Sequence, residues 1–550
     1  MKLHFSKENL SPIERRKQRL FEILPGFTTW SILIGMTVFA LMKPLWAAMI
    51  IIAFDLYWLM KLVYMTIFLL LAYFRLKTEE DTPWTEQIRH ADRYNDYLKT
   101  DTKRPSALNL GKYLSWRRHH EELELLKTSG NPPPKSKDIY HLIIYPIAKE
   151  SRDVIEPGIE SLSRQHFPAR QMLIVFAVEE RAPEKVKHDV LAIKDKYQNL
   201  FLDVQVIFHP DKIPGEARVK GANVTYAARE AVEYFSAKKI PFENVVASCF
   251  DADTVVGHDF MACLTYYFMV TPNRYRTSFQ PIPVYHNNIW QVPGFARVVE
   301  TGSSFFQLVE ATNPEKLVTF SSHSMSLKAL VEVEYWPVDM ISDDSAIFWK
   351  CYIHYEGDYS VVPIHATLSM DVAGSHQWWD TIKSVYKQKR RWAWGVENFP
   401  IVMRLFLQSK KIPLYDKIRH AFKLFEGHVS WATWGFLLTF IGWVPILCAQ
   451  QEHTLSVISY NAPRVMTTIF NLASLSLVIS IILSISLLPR HNLKLPLREK
   501  IKHALEWSMI PFILFFLGSL PALDAQTRLM FGKYMEFWIT DKHRLPPKQK

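Results

Sequence analysis

The 550-residue chain contains only four cysteines, Cys249, Cys263, Cys351 and Cys448, and no two form a CxxC pair. That spacing supports neither a zinc site nor a disulfide framework, and it suits a reducing compartment. No GxGxxG follows the first strand-like run, and GxxxxGK[ST] is absent. Both absences count against dinucleotide dehydrogenases and P-loop enzymes. There is no internal repeat. The net charge is +11, yet no Lys/Arg-rich arm is present, so a nucleic-acid partner is not expected. Basic excess of this kind fits Lys and Arg kept on one side of a membrane.

Hydrophobic residues make up 49% of the chain and aromatics 13%. The mean hydropathy is near zero because oily blocks alternate with polar ones. The first block runs from Phe27 to Phe74 and is interrupted at Lys43-Pro44. A bilayer-spanning helix takes about 20 apolar residues, so residues 27–75 predict two such helices joined by a tight turn. A polar stretch, 1–26, precedes them, which argues against a cleaved signal peptide. Basic flanks, "ERRKQR" before and "RLK" after, place both ends on the cytoplasmic side. Asp55 lies within the second helix. It is either functional at membrane depth or close to the outer headgroups of a long, tilted helix.

About three further spans are expected within 429–523, with oily stretches near 427–449, 464–488 and 504–522. Three crossings would leave the C-terminus outside, whereas the tail at 524–550 is basic and reads as interfacial. The two expectations conflict. Between Pro413 and His428, Leu414, Ile418, Ala421, Phe422 and Phe425 recur at helical spacing. Residues 401–428 are therefore expected to lie on the membrane surface, the alternative being a helix packed onto a soluble core.

The polar region begins with a charged, helical stretch at 76–137 that ends in the linker "SGNPPPKSK". Strand-like and helix-like runs then alternate: "IYHLIIYPI", "VIEPGIESLSRQ", "QMLIVFAV", "APEKVKHDVLAIKDKY", "LFLDVQVIF", "ARVKGANVTYAAREAVEYF" and "NVVASCF". Alternation of this kind predicts a mostly parallel sheet with crossover helices. The fourth run delivers Asp251 and Asp253 to a strand end, where α/β sheets bind ligands. In an extended segment these i, i+2 carboxylates would point the same way, which suits a hard divalent cation. The bland alternative is a helix cap.

Four motifs follow in order: "AVEE" with Glu179 and Glu180, "DAD" with Asp251 and Asp253, "SDD" with Asp343 and Asp344, and "QKRRW" from Gln388 to Trp392. Over about residues 138–400 the chain resembles membrane-embedded family 2 glycosyltransferases of the GT-A fold, related to cellulose, chitin and hyaluronan synthases. It departs from them in four places. Glu stands for the usual Asp in the first motif, SDD for TED, and Lys389 for Gln or Arg in Q(Q/R)xRW. "FSSHSMS" (320–326) replaces the Cys-Gly motif.

The resemblance implies a Rossmann-like α/β cytoplasmic domain with helical membrane segments, in the cell membrane. It implies an inverting transfer from a UDP- or GDP-sugar to a glycan or a lipid acceptor. Mg²⁺ or Mn²⁺ would be held by Asp253 and Asp251. Glu150, Glu179, Glu180, Lys220, Asp251 and Arg391 would meet the nucleotide. Asp344 would be the general base. Ser322, His323, Asp343, Gln388 and Trp392 would form the acceptor end. A growing polysaccharide is the leading acceptor, and single transfer to a lipid is the alternative. A transporter or assembly scaffold with an inactive transferase domain is the reading from another class.

Overall fold

The computed structural model describes residues 5–7, 10–100, 104–106, 108–374, 377–445, 447–448, 457–488, 497–538 and 544. Eight strands among these form one sheet: β1 (Tyr140–Ile147), β2 (Met172–Glu179), β3 (Asp203–His209), β4 (Val245–Cys249), β5 (Val255–Val256), β6 (Thr277–Val284), β7 (Ser324–Ser326) and β8 (Ser360–Ser369). Their order is β3-β2-β1-β4-β7-β6-β8-β5. The first four run parallel, with Ile143 opposite Ile174 and Ser248. β2 is buried along its whole length, as a strand covered on both faces must be. β7 pairs antiparallel with both β4 and β6, while β6 and β8 are parallel. The result is the mixed, mostly parallel GT-A sheet, Rossmann-like in its first half.

Crossover helices Arg152–Ser163, Glu184–Tyr197 and Lys220–Ala237 follow β1, β2 and β3. The third begins later than its apolar pattern suggests. Ala217 is drawn into a bond with Val338 O (2.9 Å), and Val219 stays extended. A tertiary contact thus fixes the first turn of that helix at Lys220.

Four described helices are long and apolar enough to cross a membrane: Pro12–Met42, Pro44–Glu80, Arg464–Leu487 and Leu497–Met530. Lys43 separates the first two, and Pro44 opens the second at a position where a missing N–H costs nothing. The stretch expected on the surface is continuous with the next apolar one, as a single helix Leu414–Thr439. It locks to the second long helix through stacked Trp58 and Trp434 (4.6 Å) and through Lys61–Glu426 (2.8 Å). Asp55 is buried, 3% exposed, against neighbouring helices. The second long helix reaches the sheet domain at its end. There Glu79 accepts from Arg75 (2.9 Å), Arg118 (2.5 Å) and Tyr267 (3.0 Å).

Candidate active site

β1, β2 and β4 share a carboxyl edge, and the site is built there. Phe250 N still bonds Ile144 O (3.0 Å), so the β4 ladder runs out at Asp251. Thr254 N then closes a turn onto Asp251 O (2.9 Å). Asp251 and Asp253 therefore sit around a bend, not on one side of an extended segment, and the alternation argument does not apply to them. The bend buries Asp253 completely, with Oδ2 accepting the Asp371 N–H (2.7 Å). Asp251 keeps 24% of its side chain exposed at the mouth.

Lys220 is the hub. Its Nζ donates to Asp251 Oδ1 (2.8 Å) and to Asp344 Oδ1 (2.9 Å) and Oδ2 (3.2 Å). The lysine is the first residue of its helix, and Asp344 is the second residue of helix Asp343–His354. Their meeting depends on Gly221. A Cβ there would fall 2.2 Å from Pro337 O and 3.1 Å from Asp343 Cβ. Burial alone would lower the Lys220 pKa, but Asp251 and Asp344 together hold it well above its ordinary value. Burial, with Asp344 alongside, pushes the Asp343 carboxyl up to about 8. Its Oδ2 has no hydrogen-bond partner among the described residues.

The "FSSHSMS" loop wraps this group. Ser321 Oγ donates to Asp251 Oδ2 (2.6 Å). Ser322 adopts a left-handed φ of 60° and is buried, with Oγ accepting the Asp251 N–H (3.4 Å). His323 lies beneath the site with no exposed surface. One ring nitrogen bonds Phe320 O (3.0 Å), the other accepts Trp336 Nε1–H (3.4 Å), and Asp344 is 4.0 Å away. Burial lowers its pKa, so it serves as a neutral strut under the loop.

The Gln388–Trp392 motif lies on helix Trp378–Ala393. Gln388 is buried, and its Oε1 has no partner among the described residues. Trp392 packs 6.3 Å from the Tyr285 ring. Tyr285 is buried. Burial first, then Glu300, Asp251 and Asp253, push its hydroxyl pKa well up. The Arg391 guanidinium stacks on Phe537 at 5.3 Å.

The carboxylates near the ends of β1 and β2 order their loops. Glu150 Oε2 accepts the N–H groups of Ala148 (2.8 Å) and Lys149 (3.0 Å). Glu179 pairs with Arg181, and Glu180 Oε2 accepts the Asp211 N–H (3.1 Å).

Three contributors escape sequence reading: Ser321, Asp371 and Arg544. Arg544 grips Asp371 through Nε and Nη2 (2.9 and 2.8 Å) and donates to Asp253 O (3.3 Å). Trp538 lies under two cations, Lys149 at 6.0 Å and Lys387 at 5.0 Å. Residues 533–538 are irregular. Nothing local marks these tail residues as partners of a strand end so distant in sequence.

Among the described residues no three His, Cys, Asp or Glu side chains are placed to enclose a cation. Asp251, exposed at the mouth, still suits a hard divalent ion, because such ions are often held by one or two carboxylates plus substrate phosphates.

Residues 248–517 match the family described as Glycosyl transferase family group 2. The chain is 21% identical over 316 residues to a poly-beta-1,6-N-acetyl-D-glucosamine synthase of Staphylococcus epidermidis, covering 56% of this chain and 66% of that protein. It is 22% identical over 270 residues to the synthase of the same name from Staphylococcus aureus, covering 48% and 56%. The chain thus spans less than two thirds of the length of these relatives. Among solved structures, a mannosyltransferase from Pyrobaculum calidifontis in complex with GDP-Man and Mn²⁺ aligns at 11% identity. That alignment covers 82% of this chain and 97% of that one, with a TM-score of 0.39. S. aureus TarS in complex with UDP aligns at 12% identity, covering 74% and 95%, with a TM-score of 0.35. At these scores the likeness carries no weight, and the fold stands on the strand order.

Proposed function

We propose, from the match of residues 248–517 to Glycosyl transferase family group 2, that the protein is an inverting glycosyltransferase extending a polysaccharide at the cytoplasmic membrane face. The observation that carries this reading is the convergence of Asp251 and Asp344 on one buried ammonium, Lys220 (2.8 and 2.9 Å). Two separate helices and a strand end spend charge on a single point. A nucleotide-sugar supplies the anion such a point needs, its diphosphate.

Each residue then has a task. Lys220 turns from the carboxylates to the diphosphate and neutralises charge as the sugar–phosphate bond breaks. Arg391 and Arg544 add to that field. A divalent cation held by Asp253 and Asp251 would supply further stabilisation of the leaving diphosphate. Asp344, released from Lys220, accepts the proton of the acceptor hydroxyl while that oxygen attacks C1. The new C–O bond forms opposite the breaking one, so the anomeric centre inverts and the nucleoside diphosphate departs. Glu150, Glu179 and Glu180 shape the nucleotide end. Gln388, Asp343 and Trp392 hold the acceptor sugar, which is orientation. The names of the Staphylococcus relatives make UDP-N-acetylglucosamine the first donor to try.

The test uses the full chain in detergent with Mn²⁺ and a set of UDP- and GDP-sugars. Nucleotide release and the size of a radiolabelled product are measured. Product retained in the gel well is the expected outcome. A product running as a glycolipid would move the acceptor to a lipid. No release from any donor by a well-folded preparation would favour a non-enzymatic scaffold.

A further inference from the structure

The second position of the Gln388–Trp392 motif holds a lysine with a connection of its own. Lys389 Nζ donates to Glu300 Oε2 (2.9 Å) and to Ser303 Oγ (2.8 Å), and lies 3.7 Å from the centre of the Trp392 ring. The side chains of Lys389 and Glu300 are 6% and 0% exposed. A buried ion pair gains little over an apolar pair of the same volume, because desolvating two charges cancels most of the attraction. What it adds is direction. An ammonium has three donors. Two are taken by Glu300 and Ser303, and the charge faces the indole, whose π cloud attracts it. Residues 389 and 392 stand three apart on one helix, so the ring lies over the lysine one turn on.

The mount is stiff. Glu300 and Ser303 belong to helix Gly294–Glu310. Near its start, Arg297 forms a second buried pair with Glu506 (Nε to Oε2, 3.0 Å). That pair ties the same helix to Leu497–Glu506.

We propose that Lys389, seated between Glu300 and Trp392, is a positioning residue that fixes the Trp392 indole as the platform for the acceptor sugar. The inference rests on the transfer reading above. It assigns a role to a departure from the family motif: the ammonium pins the ring, and Glu300 pins the ammonium.

The test compares Lys389→Met, Lys389→Arg, Glu300→Gln and the double variant Glu300→Gln/Lys389→Met in the full chain. Donor-site integrity is read by UDP binding with Mn²⁺ and by hydrolysis of UDP-N-acetylglucosamine to water. Ring position is read by ¹⁹F NMR of 5-fluorotryptophan-labelled protein, with the resonance assigned by Trp392→Phe. Lys389→Met is expected to lower transfer about 10²-fold, the loss typical of a small misplacement of a reacting group. UDP binding and hydrolysis stay within about twofold, and the Trp392 resonance moves or broadens. Arginine keeps a charge that stacks on aromatic faces, so Lys389→Arg restores the resonance and most of the transfer. The double variant is no worse than the worse single one, as expected of residues acting through one contact.

An unmoved Trp392 resonance in Lys389→Met overturns the proposal. So does a loss of UDP binding in parallel with transfer that arginine does not rescue. If the unsubstituted chain turns over no donor, the transfer reading falls, and the resonance by itself still decides whether Lys389 positions the ring.

Discussion

At the scale of single residues the site is an arrangement of carboxylates whose charge is managed differently one by one. Asp344 is partnered by Lys220 and stays at the surface of the pocket. Replacing it with Asn removes the proton acceptor and keeps the shape. Asp344→Asn is expected to reduce transfer about 10²–10⁴-fold, with UDP binding by calorimetry unchanged within error. Asp343 is the buried member, with a pKa near 8 caused by burial and by its neighbour. Its ordinary value lies far lower, so the folded state holds a proton that the unfolded chain gives up. The stability this brings is present below the unfolded pKa and is lost as pH rises toward 8. Thermal unfolding in detergent should therefore show a melting temperature that falls between pH 5 and pH 8. Asp343→Asn should flatten that slope. An equal slope in both proteins would mean that another group carries the pH dependence.

At the scale of elements, function depends on how closely two helix N-termini approach. Lys220–Ala237 and Asp343–His354 touch at Gly221, where a methyl group would meet backbone at 2.2 Å. In Gly221→Ala the added methyl meets the Pro337 carbonyl at 2.2 Å and Asp343 Cβ at 3.1 Å, so the start of Lys220–Ala237 must shift and the Lys220–Asp344 contact is expected to open. The expected result is a loss of transfer of about 10-fold or more together with a lower melting temperature. A wild-type rate in Gly221→Ala would show that the contact is not needed. The sheet elements here were legible: β1, β2 and β4 fall on runs of Ile, Leu and Val, and the crossover helices on amphipathic ones. The start at Lys220 was not, because Ala217 is held out of the helix by Val338, far along the chain. The bend at Asp251–Thr254 was hidden for a similar reason. An alternation rule assumes an extended backbone, and nothing in "DADT" announces that Asp371 will draw Asp253 inward.

At the scale of the whole molecule, a sheet domain and a set of apolar helices are joined by buried charge. Glu79 gathers Arg75, Arg118 and Tyr267 at the end of the second long helix. Glu506 takes Arg297 in a pair with side chains 11% and 8% exposed. Breaking such a pair by removing one partner costs about 3–5 kcal/mol. Glu506→Gln should lower the melting temperature by several degrees and weaken transfer while leaving UDP binding intact. Arg544 is only 12% exposed and is bound to Asp371 beside Asp253. Arg544→Ala is expected to weaken binding of UDP with Mn²⁺ several-fold, because a guanidinium is lost from the edge where the diphosphate belongs. Unchanged UDP affinity would place Arg544 outside the donor site.

The sequence by itself determined the α/β pattern, the oily segments and the order of the acidic and Arg-Trp motifs. These follow from local periodicity and residue type, which act over a few residues. Only the tertiary structure decided that Lys220 joins Asp251 to Asp344, that Asp253 turns inward, that Lys389 meets Glu300, and that Arg544 returns to the DxD bend. Each is a contact between segments distant in the chain, set by how the whole fold packs and not by local periodicity. No local pattern records which distant partner will arrive there.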